Sequence, residues 1–159
     1  MRQQTDGREI AIEIEWQLFD DRHVVMAGIS SEWARRRKVA LAELMDAPWI
    51  LPPPDSLARR YTDDAFRALG LEPPRAQVAT FSMPLCHQLL ATGRYLAVLR
   101  REALRLAKHL QFKQVGVAFP GIARPIGIMT LKNRTLNPFA RLFIESARTT
   151  AELLTRRDQ

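Results

Sequence analysis

Apolar and polar positions follow two different rhythms along this chain. Residues 10–16 carry an apolar side chain at every second position, which predicts a half-buried strand. Residues 23–27 are apolar almost throughout and predict a more buried strand. We expect the chain to break between these two strands, at residues 18–21. Later apolar runs predict further short strands at residues 49–51, 76–80, 95–99, 115–118 and 125–131.

Helical spacing of apolar residues predicts helices between most of these strands. The clearest helix begins at Ser56, a good N-cap residue, and ends at Gly70, which suits the left-handed position after a helix. Another begins at Ser82 and ends at Gly93, and a last one begins at Asn137. Shorter helical segments are predicted at residues 32–37, 39–44 and 102–110.

The same spacing predicts which helix faces are buried. For the helix after Ser56 the expected core face is Leu57, Tyr61, Ala65 and Leu69. For the helix after Ser82 it is Leu85, Leu89 and Leu90. For the last helix it is Phe139, Leu142, Phe143, Ala147 and Leu154. Strands that alternate with helices predict an α/β fold with right-handed crossovers and a mostly parallel sheet.

Two strand-to-helix turns are the best candidates for a binding site. One follows the strand at residues 49–51, the other follows the next strand, and both should open at the carboxyl edge of a parallel sheet. Helix N-termini there present free N–H groups and a partial positive charge. With Ser56, Thr80, Ser82 and the ring of Phe81, this suits a small carboxylate with an apolar body. The alternative is that the two serines only cap their helices, and the spacing does not decide between these interpretations.

Composition sets the class of molecule. The 159 residues are 47% hydrophobic and 26% charged, enough for a buried core in one domain or two small lobes. The single cysteine, Cys86, excludes an internal disulfide and fits a reducing cytoplasm. No signal sequence and no run of membrane-spanning length is visible. The net charge of +7 comes from scattered cations, which indicates a solvated basic surface rather than a nucleic-acid platform.

The motifs of known catalytic sites are absent. We find no nucleophile elbow, no phosphate loop and no dinucleotide fingerprint, and the three histidines lack a second ligand at metal spacing. Cys86 and His87 are helix neighbours whose side chains point about 100° apart, so a structural Cys86 is expected. Asp63 and Asp64, which lie early in their helix, are interpreted as solvated surface. Nothing in the sequence calls for a metal or a cofactor.

Four segments, taken in order, resemble the LysR-type transcriptional regulators. They are LFDDRHVV at residues 18–25, WILP at 49–52, TGRYLAVL at 92–99 and LNPFA at 136–140. The similar part of that family is its C-terminal effector-binding domain, and the resemblance covers nearly the whole chain after residue 10. It implies a sensor that does no chemistry, in which a small effector changes the closure of two lobes and so changes how a full-length oligomer holds DNA.

The resemblance also implies a fold and a division of the chain. The family fold is like that of type II periplasmic binding proteins, with two α/β lobes joined by two crossing strands and the effector between them. This chain would supply one complete lobe plus part of a second. On that basis residues 1–21 are a loose N-terminus and a strand of the first lobe, residues 22–118 are the second lobe, and residues 119–159 are the return crossing, a strand and the C-terminal helix of the first lobe.

Effector contacts follow from the resemblance when it is carried over position by position. The matching positions are Pro53, Asp55, Ser56, Thr80, Phe81 and Ser82. A small organic acid is the expected effector. Asp55 departs from a simple carboxylate site, because an acid at a helix N-terminus competes with an anion for the same field. An effector with an amine or a hydroxyl facing Asp55 would avoid this competition.

The chain also departs from the family pattern in what it lacks. A winged helix-turn-helix, a linker helix and the first half of the first lobe are missing, so we expect a truncated product that reaches DNA only through a domain absent from this chain. The apolar faces of residues 125–131 and of the last helix then lose their neighbours, which favours a homo-oligomer. The alternatives are a solute-binding transport protein of the same fold and a small α/β enzyme.

Overall fold

The computed structural model describes residues 3–5, 8–10, 12–101, 111–120, 124–131 and 135–156. The strands are β1 (Gln3–Thr5), β2 (Arg8–Ile10), β3 (Ile12–Asp21), β4 (His23–Gly28), β5 (Trp49–Leu51), β6 (Ala76–Ala79), β7 (Leu96–Arg100), β8 (Phe112–Gln114) and β9 (Arg124–Leu131). The helices are α1 (Glu32–Arg35), α2 (Leu57–Arg67), α3 (Met83–Ala91) and α4 (Pro138–Arg156), with a 3-10 helix at Leu41–Leu44. The helix predicted at residues 102–110 lies outside the described residues.

The chain forms two compact units. One is Arg22–Ala123, and the other joins Met1–Asp21 to Arg124–Gln159. Their assignment to the lobes of an effector-binding domain, at residues 1–21, 22–118 and 119–159, remains a prediction.

A five-stranded sheet is the frame of the larger unit. Its strand order is β6-β5-β7-β4-β8, with β5 parallel to both β6 and β7. Strand β4 is antiparallel to its neighbours β7 and β8, so four strands run one way and β4 runs against them. The predicted α/β class is confirmed, and the predicted mostly parallel sheet holds for every strand of this sheet except β4.

Helices cover both faces of this sheet, and β4 shows why. Its alternate residues Val25 and Ala27 pack into one core cluster, which includes Ala34 of α1 and Phe66 of α2. The intervening Val24 and Met26 pack into a second cluster, which includes Cys86 and Leu90 of α3. A strand buried on both faces needs apolar residues at every position, and residues 24–27 provide them.

Aromatic residues anchor the larger of the two clusters. Trp49 is fully buried, and its indole N–H donates a hydrogen bond to the carbonyl oxygen of Leu44, 2.8 Å away. The ring of Phe66 lies edge-on between Trp49 and Phe119, with centroid distances of 5.5 Å to each. These edge-to-face contacts hold α2 and the chain after β8 against the same part of the sheet.

In the smaller unit, β3 pairs with β9 in an antiparallel ribbon and α4 packs against β3. The predicted break at residues 18–21 is wrong, because β3 continues to Asp21. The ladder absorbs the irregularity instead, by register shifts between Ile14 and Trp16 and between Gln17 and Phe19. The predicted strand at residues 115–118 is also wrong: β8 ends at Gln114, and beyond it Val117 forms only an isolated bridge to Val39.

The predicted helix faces are only partly correct. Helix α2 buries Thr62, Ala65 and Phe66, whereas Leu57 and Leu69 are about half exposed, so the true stripe is rotated toward Phe66. In α3, Leu90 is buried as predicted but Leu85 is exposed. Among the described side chains of α4, Ile144 and Ala151 are buried, whereas Phe139, Leu142 and Phe143 are exposed. The side chain of Leu154 lies outside the described residues.

Candidate functional site

The two predicted turns lie side by side at the carboxyl edge of β5 and β6. These strands pair in parallel with Leu51 opposite Ala79, so both end at the same level. The N–H of Thr80 then donates to the carbonyl oxygen of Leu51 at 3.0 Å, which ties the start of the second turn to the end of β5. Both turns therefore face the same side of one rigid sheet edge.

The first turn is a tight loop closed by the Ser56 hydroxyl. That hydroxyl donates to the carbonyl oxygen of Pro53 at 2.7 Å and accepts from the N–H of Arg59 at 3.0 Å, so it is the N-cap of α2. Asp55 has a φ of 66°, a left-handed conformation that aspartate tolerates better than most residues. Its side chain is exposed at this turn.

The second turn is built from Thr80, Phe81 and Ser82. The hydroxyl oxygen of Thr80 accepts from the N–H of Ser82 at 2.9 Å, and the Ser82 hydroxyl oxygen accepts from the N–H of Leu85 at a longer 3.4 Å. Ser82 is therefore the N-cap of α3, with a weaker bond than its counterpart Ser56. Phe81 stands outward, 65% exposed.

The geometry brings all six predicted positions to one sheet edge. The hydroxyl oxygens of Ser56 and Ser82 cap their helices, and that of Thr80 accepts a hydrogen bond within its own turn. What is left for a ligand is mainly backbone and ring. The first N–H groups of a helix have no partner within it, so those of Leu57 and Ala58 remain available as donors. In α3 the second residue is Pro84, which has no N–H to offer. The arrangement can hold a small anion at α2 and an apolar body against Phe81.

The other polar candidates have structural roles. Asp63 forms an ion pair with Arg59 at 2.7 Å, and Asp64 forms one with Arg67 at 3.2 Å. Cys86 is buried, and burial raises the pKa of its thiol to about 11. A thiol with that pKa stays protonated near neutral pH and is a poor nucleophile, which agrees with the structural role expected for it.

A second polar feature, which sequence reasoning missed, lies at the same edge of the sheet. It is a cleft of about 220 Å³ where β4 begins and β7 ends. The signal available in the sequence was the basic pairs Arg22-His23 and Arg100-Arg101, one at the start of a buried strand and one at the end of another. Because the pairing of these two strands cannot be read from spacing, nothing placed the two pairs together.

Among the described residues no three His, Cys, Asp or Glu side chains are grouped so that they could bind a metal ion. Within that same part of the chain we find no helix with the length and hydrophobicity of a membrane span.

A family model and a known transcriptional regulator both match this chain. The family model described as LysR substrate binding domain matches residues 13–152. The HTH-type transcriptional regulator GbpR of Azospirillum brasilense is 32% identical over 127 residues, which are 76% of this chain and 36% of GbpR. The chain thus spans about a third of the length of this relative.

Two solved structures show the same fold. The regulatory domain of CcmR from Synechocystis PCC6803, in complex with 2-PG, has a TM-score of 0.73 at 18% identity, and the match covers 95% of this chain and 71% of that one. The effector binding domain of BenM with its effector benzoate has a TM-score of 0.67 at 19% identity, covering 97% and 68%.

Proposed function

The chain belongs to the family of LysR substrate-binding domains, and on that premise we propose that the turns after β5 and β6 form one wall of the site for a small organic effector. The chain is the effector-sensing domain of a LysR-type transcriptional regulator. The proposed contact residues are those that the resemblance implied: Pro53, Asp55, Ser56, Thr80, Phe81 and Ser82.

The observation that carries this proposal is the shared edge of the two turns. The hydrogen bond from Thr80 to Leu51 fixes their spacing, so the free N–H groups of α2 and the exposed ring of Phe81 form a preorganised pair of contacts. A preorganised site loses little entropy when it binds. The proposed ligand is a small organic acid, with its carboxylate at the N-terminus of α2 and its apolar body on Phe81.

Asp55 narrows the class of ligand. Its carboxylate is exposed at the same helix N-terminus, where it repels an anion and competes for the same donors. A hydroxyl or an amine on the ligand would instead donate to Asp55. We therefore favour small hydroxy or amino acids over ligands that carry a carboxylate alone.

The proposed role is sensing without turnover. Binding would favour one conformation of the regulator over another by the ligand's difference in affinity for the two. Operator DNA would be contacted by a helix-turn-helix domain of the longer protein, as the name of GbpR and its greater length suggest. We also propose a cytoplasmic location, supported by the free, buried Cys86.

Thermal unfolding with a panel of small carboxylic acids tests the proposal. Benzoate serves as the plain carboxylate, and matched hydroxy and amino acids test the role of Asp55. A ligand that binds the native state raises the stability by about 1.4 kcal/mol for each tenfold rise in concentration above its dissociation constant, so the melting temperature should climb steadily.

Variants of the second turn then locate the site. Phe81→Ala removes an exposed ring and should weaken binding about tenfold with little loss of stability, and Ser82→Trp should abolish binding by filling the turn. The matched control is Leu69→Ala, an apolar side chain about half exposed beyond the far end of α2. If a ligand binds and neither turn variant changes its affinity, the site is elsewhere.

Self-association is the last part of the proposal. Helix α4 exposes Phe139, Leu142 and Phe143, which together form an apolar face on the smaller unit. Exposed faces of this kind mark association surfaces in soluble proteins, so we propose a homo-oligomer that buries this face.

A further inference from the structure

The cleft at the start of β4 has an unusual lining. The described residues around it are Arg22, His23, Val24, Arg101, Gln114, Val117, Ala118 and Phe119. They supply two guanidinium groups, an imidazole and an amide, and none of these described residues is acidic. All of these described lining residues belong to the larger unit, and the cleft volume of about 220 Å³ exceeds that of one small oxyanion.

Strand pairing places the two arginines next to each other. His23 lies opposite Arg100 in the ladder between β4 and β7, and the N–H of Arg101 donates to the carbonyl oxygen of Arg22 at 2.8 Å. The backbone atoms that carry both side chains are thus held by the sheet itself. Among the described residues neither guanidinium group has a carboxylate partner, although other arginines of this unit, such as Arg59, do.

The aromatic part of the cleft lining is held in place by the core. Phe119 packs edge-on against Phe66, which packs in turn against the fully buried Trp49. Gln114, the last residue of β8, also lines the cleft, and its side-chain amide can donate hydrogen bonds. Two guanidinium groups that line the same small cleft lower the energy of an anion inside it.

We propose that this cleft binds an oxyanion, a phosphate or carboxylate group, held by Arg22 and Arg101 and contacted by His23 and Gln114. The planar guanidinium group binds such oxygens in pairs, which makes arginine the preferred residue for this class of ligand. Like charges on Arg22 and Arg101 repel each other when the cleft is empty, and a bound anion relieves that repulsion. The site does not depend on the turns after β5 and β6, so it stands or fails separately from the proposed effector site.

The proposal is tested by calorimetric titration of the whole chain with inorganic phosphate. The pH is kept constant, and sodium chloride keeps the ionic strength constant. We expect saturable binding of one phosphate. Arg22→Gln and Arg101→Gln should each weaken it about tenfold or more, since each removes a hydrogen bond between charged groups. The control is Arg94→Gln, which makes the same change in net charge. Arg94 is exposed and lies just before β7, at the opposite edge of the sheet.

The imidazole of His23 provides a second measurement that needs no arginine variant. In proton spectra of the wild-type chain, the His23 ring signals, identified by their loss in His23→Gln, should shift with the same midpoint as the calorimetric titration. Parallel titrations with a simple phosphate ester and with acetate distinguish a free inorganic ion from the anionic group of an organic ligand. The proposal is overturned if the three arginine variants bind phosphate with equal affinity, or if phosphate binding does not saturate. It is also overturned if the His23 signals do not shift while phosphate binds.

Discussion

At the scale of single residues, His87 makes folding sensitive to pH. Its Nε2 atom is buried and has no hydrogen-bond partner among the described residues, and its ring lies 5.0 Å from that of Phe112. Burial lowers the pKa of His87 below the ordinary value of 6.5, because the charged ring loses water without gaining a partner. The unfolded chain therefore binds a proton more readily than the folded one.

Because the pKa of His87 is lower in the folded state, the free energy of unfolding should decrease as the pH falls. Stability should be fully present above about pH 6.5 and should fall as the pH drops from there toward the lower pKa of the folded state. Urea unfolding between pH 8 and pH 5 measures this loss, and His87→Leu should reduce it. Gln88→Leu, an exposed neighbouring position without a titratable group, should keep the wild-type slope. Equal slopes for wild type and His87→Leu would show that His87 is not the group responsible.

At the scale of elements, the two serine caps differ in strength although they occupy equivalent places. Ser56 accepts from Arg59 at 3.0 Å and also donates to Pro53, whereas Ser82 accepts from Leu85 at 3.4 Å. Loss of an N-cap typically costs about 1 kcal/mol. We therefore expect Ser56→Ala to cost about 1 kcal/mol of unfolding free energy, and Ser82→Ala clearly less.

Denaturant unfolding of both alanine variants measures this difference, with Thr replacements at the same positions as controls that retain a capping oxygen. A larger loss for Ser82→Ala than for Ser56→Ala would contradict the geometry. The same variants separate capping from binding. Ser56 and Ser82 are also among the proposed contact residues, so an affinity that survives both alanine replacements would limit the ligand contacts to the N–H groups of α2, the ring of Phe81 and the other turn residues.

Element order was predictable from the sequence because local signals determine it. Ser56 and Ser82 begin their helices, and Gly70 and Gly93 follow those helices with positive φ, as expected. The buried faces were less predictable. Periodicity in α2 selected Leu57 and Leu69, but the packing partner Trp49 selects Phe66, and that contact joins residues distant in sequence.

The candidate site shows the same limit. The sequence indicated both turns, since each is a strand followed at once by a capped helix. It could not show that the hydroxyls of Ser56 and Thr80 are already committed to hydrogen bonds within their turns. It also missed the cleft at Arg22 and Arg101, because the antiparallel pairing of β4 with β7 depends on strand order. Hydrogen bonding and strand pairing are tertiary facts that local patterns do not contain.

At the scale of the whole molecule, net charge and exposed apolar surface have opposite effects on self-association. The chain carries a net charge of +7, so two copies repel each other at low salt. Against this, Phe139 is 81% exposed and Phe143 is 67% exposed on α4. Full burial of such a ring contributes about 1.5–3 kcal/mol. Salt screens the repulsion and leaves the apolar term in place, so association through this face should strengthen as salt is added.

The double variant Phe139→Ser and Phe143→Ser tests this association. Removing two rings should weaken it by about 3–6 kcal/mol, which is at least about a hundredfold in the association constant. Light scattering after size exclusion should find oligomers of the wild type that grow with protein concentration and with salt, and monomers of the variant. Leu57→Ser with Leu69→Ser is the matched control, since it removes two partly exposed apolar side chains, one at the start of α2 and one just beyond its end, and leaves α4 intact. Association that persists in the α4 variant, or that weakens as salt is added, would assign it to charged contacts elsewhere on the molecule.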